Sequence, residues 1–214
     1  MPDLVDEVDE ELRQERAARL AKQFGGLFAG VALLVLAGIG GWQGWNWYEA
    51  RQAGATAEAY LAATRDASQE GADTRAIATR MASLAAEAPP GYRVLTRLRA
   101  AALSAEAGDT PAALTVWNQI ANDSGADPLY RDLATLMWAT HALEPGNAAE
   151  IRARVTPLAN GPWGASAREL LALAALASGQ NDDARRRLTE LARDEAAPQG
   201  VRDRAQRLLT GIDG

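Results

Sequence analysis

The sequence predicts an all-α protein: a single transmembrane helix followed by an α-solenoid of degenerate helix pairs. Three observations predict it. The stretch from Phe24 to Tyr48, FGGLFAGVALLVLAGIGGWQGWNWY, carries no charge. Beyond it alanine and leucine dominate, β-branched residues are sparse, and no segment alternates with the period of two that a half-buried strand requires. Chain breakers then recur at regular intervals, each gap long enough for one helix.

The uncharged stretch is long enough to span a bilayer, which takes about 20 apolar residues. Phe24 to Gly41 supplies the hydrocarbon part. Trp42, Trp45, Trp47 and Tyr48 follow as a cluster, and amphipathic rings settle at headgroup depth, so these four form an interfacial belt. Gly26, Gly30, Leu33, Ala37, Gly40 and Gly44 recur at spacings of four and three. Gly26, Gly30, Ala37, Gly40 and Gly44 thus make a stripe of small residues, the kind that lets helix backbones approach in lipid. We expect this face to dock on another membrane helix.

Orientation follows from arginine and lysine near the span. Arg13, Arg16, Arg19 and Lys22 precede it, whereas only Arg51 follows closely. The N-terminus is expected in the cytoplasm and the C-terminal domain in the periplasm, at a plasma (inner) membrane. The apolar core exceeds the ~7–15 residues of a cleaved signal peptide, and tryptophans fill the zone where small cleavage-site residues belong. A signal-anchor is therefore expected over 23–48. It is preceded by an acidic amphipathic tail over 1–22 and followed by the repeat domain over 49–214. In the tail, Val5, Val8, Leu12 and Leu20 share one helix face, and Asp9/Arg13 and Glu15/Arg19 are favourable i,i+4 pairs.

Composition narrows the chemistry. The chain has 214 residues, a net charge of −6, no cysteine and one histidine. No thiolate nucleophile, disulfide or cysteine metal site is possible, and net acidity argues against nucleic acid. No P-loop or serine-hydrolase motif occurs. Asp123 to Asp127 lacks the remaining ligands of a calcium loop and reads as a connection. His141 falls near a helix end, where a structural role is expected. Arg185-Arg186-Arg187 and Arg93/Arg97/Arg99 read as solvated helix faces, and Trp117, Trp138 and Trp163 as wedges between helices. We expect no enzyme activity, no cofactor and no metal.

The breakers place helices at 49–70, 73–88, 92–107, 111–122, 128–143, 147–159, 163–178, 182–194 and 199–210. These pair off. Glu106 to Leu114 and Ala177 to Arg185 share a pattern: a glycine (Gly108, Gly179) ends one helix, and an alanine (Ala113, Ala184) falls five residues on. Glycine suits the turn because it alone adopts positive φ without penalty. Alanine suits a close helix crossing. The two copies lie roughly 71 residues apart, about two periods of a ~34-residue repeat, with Pro145-Gly146 marking a weaker middle copy.

These turns and second helices resemble tetratricopeptide repeats. Gly108-Asp109, Ala113 and Trp117 fall on the repeat's Gly-Asp, alanine and aromatic positions, with Pro128 following. Gly179, Ala184 and Leu188 do the same, followed by Pro198. The first helices depart from the pattern: Arg97 and Arg168 stand where the repeat has tryptophan.

The whole arrangement is an acidic DEVDEELRQER tail, an anchor ending in GWQGWNWYEARQ, and repeats containing GPWGASARELLALAALASGQNDDARRRL. It resembles the YfgM-like ancillary SecYEG translocon subunit family of Gram-negative inner membranes. The resemblance implies a periplasmic adaptor or chaperone-like repeat domain associated with the translocon and with periplasmic chaperones, receiving exported polypeptides. A scaffold for envelope assembly or cell division is the alternative.

Overall fold

The computed structural model describes the backbone of residues 4–213; the side chains of residues 4–21, 23–25, 28 and 213 lie outside it. The expected amphipathic tail, with its pairs Asp9/Arg13 and Glu15/Arg19, therefore lies outside the described side chains. The described residues form helices and turns, without a strand. They are α1 (Leu4–Ala67), α2 (Thr74–Glu87), α3 (Pro90–Glu106), α4 (Thr110–Ala121), α5 (Pro128–His141), α6 (Ala148–Val155), α7 (Gly164–Ala177), α8 (Asn181–Arg193) and α9 (Gln199–Asp213). The chain divides into two units, Met1–Gln52 and Ala53–Gly214, and α1 contributes to both.

In the first unit, every side chain described from Gly26 to Gln52 is exposed. Among the described residues no helix is long and apolar enough to cross a membrane. That covers only part of the uncharged stretch, because Phe24, Gly25 and Phe28 lie outside the described side chains.

In the second unit, successive helices pack on one another from α2 through α9, as a chain of short-connected antiparallel pairs must. The end of α1 pairs with α2, α3 with α4, α5 with α6, and α7 with α8; α9 closes the series. Each second helix repeats one packing rule, counted from the residue that caps its N-terminus. Four residues after Asp73, Asp109, Asn147 and Gln180 come Ile77, Ala113, Ile151 and Ala184, all buried. Eight residues after come Met81, Trp117, Val155 and Leu188, each wholly buried. One apolar stripe at helical spacing thus faces the paired first helix.

The caps show why these helices start where they do. The carboxylates of Asp73, Asp109 and Asp127 accept hydrogen bonds from the amides of Ala76, Ala112 and Leu129, satisfying first-turn N–H groups that lack helical partners. Pro90, Pro111 and Pro128 occupy first-turn positions, where a missing N–H costs nothing. Gly108 and Gly179 end α3 and α7 at φ 86° and 72°. Their neighbours' amides, on Asp109 and Gln180, reach back to the carbonyls of Ser104 and Ala175 and close the helix ends. Gly71, at φ 76°, lies in the turn between α1 and α2, where the Ala72 amide donates to the Gln69 carbonyl.

The third pair departs from the single helix expected over 147–159. A 3-10 turn over Pro145–Asn147 leads into α6, and another over Thr156–Leu158 ends it. Pro157 cannot donate a helical hydrogen bond, which ends the α-helix at Val155. The chain then turns back so tightly that Gly164, the first residue of α7, lies against the Ala159 carbonyl. A Cβ there would come within 2.6 Å of that oxygen, and backbone, not a flexible side chain, would have to move.

Gly164→Ala is therefore expected to destabilise the domain by about 1–3 kcal/mol, measured by urea unfolding. Gly91→Ala, where a Cβ meets nothing, serves as the control and is expected to be neutral or slightly stabilising. A Gly164→Ala midpoint equal to wild type would refute the tight turn.

Candidate interaction surfaces

Half-buried polar groups tie the helix pairs together. Arg97 on α3 reaches Asp123, just past α4, at 3.5 Å, and Gln119 at 3.2 Å. Arg168 on α7 reaches Asp194, just past α8, at 2.6 Å. In each copy the same carboxylate also accepts an amide two residues on, from Gly125 and Ala196 respectively. A buried alanine follows three residues after the aspartate, Ala126 and Ala197. Arg97 and Arg168 are the residues that replace the repeat's tryptophan, so the departure has a structural purpose. Each arginine clips its first helix to the end of its second.

Arg168 and the Ala196 amide hold the Asp194 carboxyl below the usual carboxylate range. Arg187, with Arg186, does the same for Asp183. Arg185, Arg186 and Arg187 are thus partnered by Asp182 and Asp183 on their own helix, and Arg99 pairs with Glu106.

The tryptophans of the second unit are wedges. Trp117 is wholly buried, and the His141 ring lies over it with centroids 4.5 Å apart. The His141 Nδ1 is 2.9 Å from the Met137 carbonyl. Trp138 carries the Arg154 guanidinium 4.0 Å above its ring, and that arginine also donates to Asn118 at 2.8 Å and pairs with Glu150 at 2.6 Å. Trp163 donates its indole N–H to the Leu129 carbonyl across the third and fourth pairs. The stacking of His141 on Trp117 was not legible from the local sequence around His141, because the two residues come from different helices. Asp123 and Asp127 are taken up by Arg97 and by the α5 cap. Among the described residues no group of acidic or histidine side chains is placed to hold a metal ion.

Among the clefts on the second unit, two are mainly apolar in lining. One, of about 540 Å³, is lined by Ala82, Ala85, Ala86, Ala100 and Val116, with Arg93 and Arg97 among its walls. The other, of about 430 Å³, lies on α5, α7 and α9, where Leu133, Met137, Trp163, Leu170 and Leu173 give it an apolar lining. At its edge the nearly buried Glu169 accepts two hydrogen bonds from Arg204, both 2.7 Å, and this carboxylate raises the Arg204 pKa.

The first unit presents a different surface. Trp42, Trp45, Trp47 and Tyr48 are each more than half exposed, as are Leu33, Leu34, Leu36 and Ile39. A Cβ at Gly26, Gly30, Gly40 or Gly44 would meet nothing within 4 Å, and Ala37 is exposed, so the small-residue stripe faces open space. Contiguous exposed apolar surface on this scale marks a binding or membrane surface.

The Asp194 clip has a pH signature. Because the folded carboxyl holds its charge to lower pH than the unfolded one, its stabilisation is present above about pH 4 and is lost as pH falls through the folded value. Asp194→Asn is expected to lower thermal stability at pH 7 and to flatten its decline between pH 4 and pH 2.5, followed by circular dichroism. An unchanged slope would show that the clip does not contribute.

A comparison with curated proteins and another with solved structures each return no match. A family model described as a tetratricopeptide repeat-like domain matches residues 19–208, taking in the uncharged stretch as well as the helix pairs. Domains of this kind act in protein–protein interaction, and the helix pairs and their glycine turns belong to that architecture. The chain is a member of the tetratricopeptide repeat-like domain family.

Proposed function

We propose that this chain is a membrane-anchored periplasmic adaptor with chaperone-like activity. In this reading it associates with the SecYEG translocon and with periplasmic chaperones, and it assists exported proteins. The observation that carries the reading is the joining, in one chain, of an exposed uncharged helical segment to a protein-binding repeat domain. The segment supports an anchor because a helix apolar on all sides needs a non-aqueous surrounding. The basic flank from Arg13 to Lys22 supports a cytoplasmic N-terminus and a periplasmic domain.

The translocon as partner rests on the resemblance of the whole arrangement, from acidic tail to repeats. The stripe from Gly26 to Gly44 would be the lateral docking face. The clefts on the repeat domain would take up segments of polypeptide non-covalently, without a cofactor.

Two experiments test this. Photocrosslinkers placed at Gly30 and Gly40 are expected to trap translocon subunits, and replacing Gly26, Gly30, Gly40 and Gly44 with leucine is expected to abolish co-purification in mild detergent. Crosslinks to lipid or to a second copy alone would refute the docking face. Pull-down with residues 49–214 is expected to capture varied exported clients; one stoichiometric partner would instead support a scaffold for envelope assembly or division.

A further inference from the structure

At the end of the uncharged segment, two side-chain pairs form one patch. The Arg51 guanidinium lies over the Trp47 ring, 5.4 Å from its centroid. One position further round the helix, Gln52 Nε2 donates to the Tyr48 hydroxyl at 2.8 Å. Positions 47, 48, 51 and 52 are neighbours on a helix surface. All four residues are exposed.

The chemistry of the patch is that of a donor. Arg51 is the first cation after the uncharged stretch. Glu49, two residues away, projects from another side of the helix, and no ion pair of Arg51 occurs among the described residues. Its guanidinium carries five N–H groups and no acceptor, and stacking on Trp47 uses the π face and leaves those N–H edges outward. Because the Tyr48 oxygen accepts from Gln52, its O–H proton is directed elsewhere. The patch therefore offers one positive charge and several donors, immediately beside a surface of leucine, valine, isoleucine and tryptophan.

We propose that Arg51 and Tyr48 bind the phosphate of an anionic glycerophospholipid whose acyl chains lie along the uncharged segment. Charge complementarity selects the ligand. A phosphatidylglycerol headgroup brings an anion with no cation of its own, whereas the phosphate of phosphatidylcholine is already neutralised by its choline. The inference rests on the membrane-anchor reading and adds to it a lipid site at the outer interface.

The test uses the full chain in bilayer nanodiscs of equal phosphatidylglycerol and phosphatidylcholine, with the lipid retained on the protein measured by native mass spectrometry. Arg51→Gln is expected to lower the phosphatidylglycerol preference about fivefold, the effect of one cation at an anionic surface. Tyr48→Phe is expected to lower it less, and Arg65→Gln, at the next cation along, to leave it unchanged. The basic residues before the segment are common to all variants and cancel in the comparison. An Arg51→Gln chain that stays embedded with its lipid preference intact overturns the lipid site alone. So does a loss confined to a co-purifying acidic protein. A wild-type chain extracted from membranes by alkaline carbonate overturns the anchor reading, and the lipid site falls with it.

Discussion

The second unit depends on how closely each second helix can approach the first. Four residues into each second helix stands Ile77, Ala113, Ile151 or Ala184, and one turn later Met81, Trp117, Val155 or Leu188. The first position governs the approach and the second fills the space the approach creates. Ala113 is followed by the largest filler, Trp117, whereas Ile151 is followed by the smaller Val155. Between these two pairs volume is traded from one position to the other, in keeping with interiors packed to crystal-like density. The turn glycines follow from this. Joining helices through three residues needs a left-handed backbone at Gly108 and Gly179, and the six-residue turn before α2 uses one at Gly71, a conformation any side chain would disfavour.

Packing alone leaves sliding along the helix axes weakly opposed, and the polar clips oppose it. Arg97 to Asp123 and Arg168 to Asp194 both reach across 26 residues, and Arg204 reaches Glu169 across 35. Exposed ion pairs contribute little free energy, about 0–1 kcal/mol. Their geometry is more informative. A bidentate arginine on a nearly buried carboxylate is satisfied in one register only, and slippage would leave the Glu169 charge buried without its partner. In this domain the apolar stripe supplies stability and the arginines supply register.

Helix order and most helix ends were legible because glycine, proline and aspartate mark them locally. The repeat was legible at Gly108/Ala113 and Gly179/Ala184, where alanine holds the crossing. It was hidden in the first pair and marked only weakly, by Pro145-Gly146, in the third; in both, isoleucine holds the crossing. Gly71 precedes its cap by two residues rather than one, which shifts the pattern when copies are aligned on glycine. Aligning on the cap instead brings Ile77 and Ile151 into register with the alanines. The split of the third pair into 3-10 turns around α6 was signalled only by Pro145 and Pro157. The arginine clips had no local signal, because each partner lies beyond a turn and a helix. What repeated at ~71 residues was nonetheless there to be read: Arg97 with Asp123, and Arg168 with Asp194.

The two units obey opposite solvent rules. In the second, apolar side chains turn inward and each second helix buries one stripe; α8 sets Ala184, Leu188 and Leu191 against a face carrying Arg185, Arg186 and Arg187. In the first, leucine, valine and isoleucine are exposed on every side of the helix from Val31 to Ile39. No face is reserved for water, and the backbone needs no partner because each helical group satisfies its own. A helix of that kind has no polar face to turn towards water. It gains by leaving water, at roughly 25 cal/mol per Å² of apolar surface removed. The change of rule comes at Trp42 to Arg51, where rings with polar edges give way to the first cation.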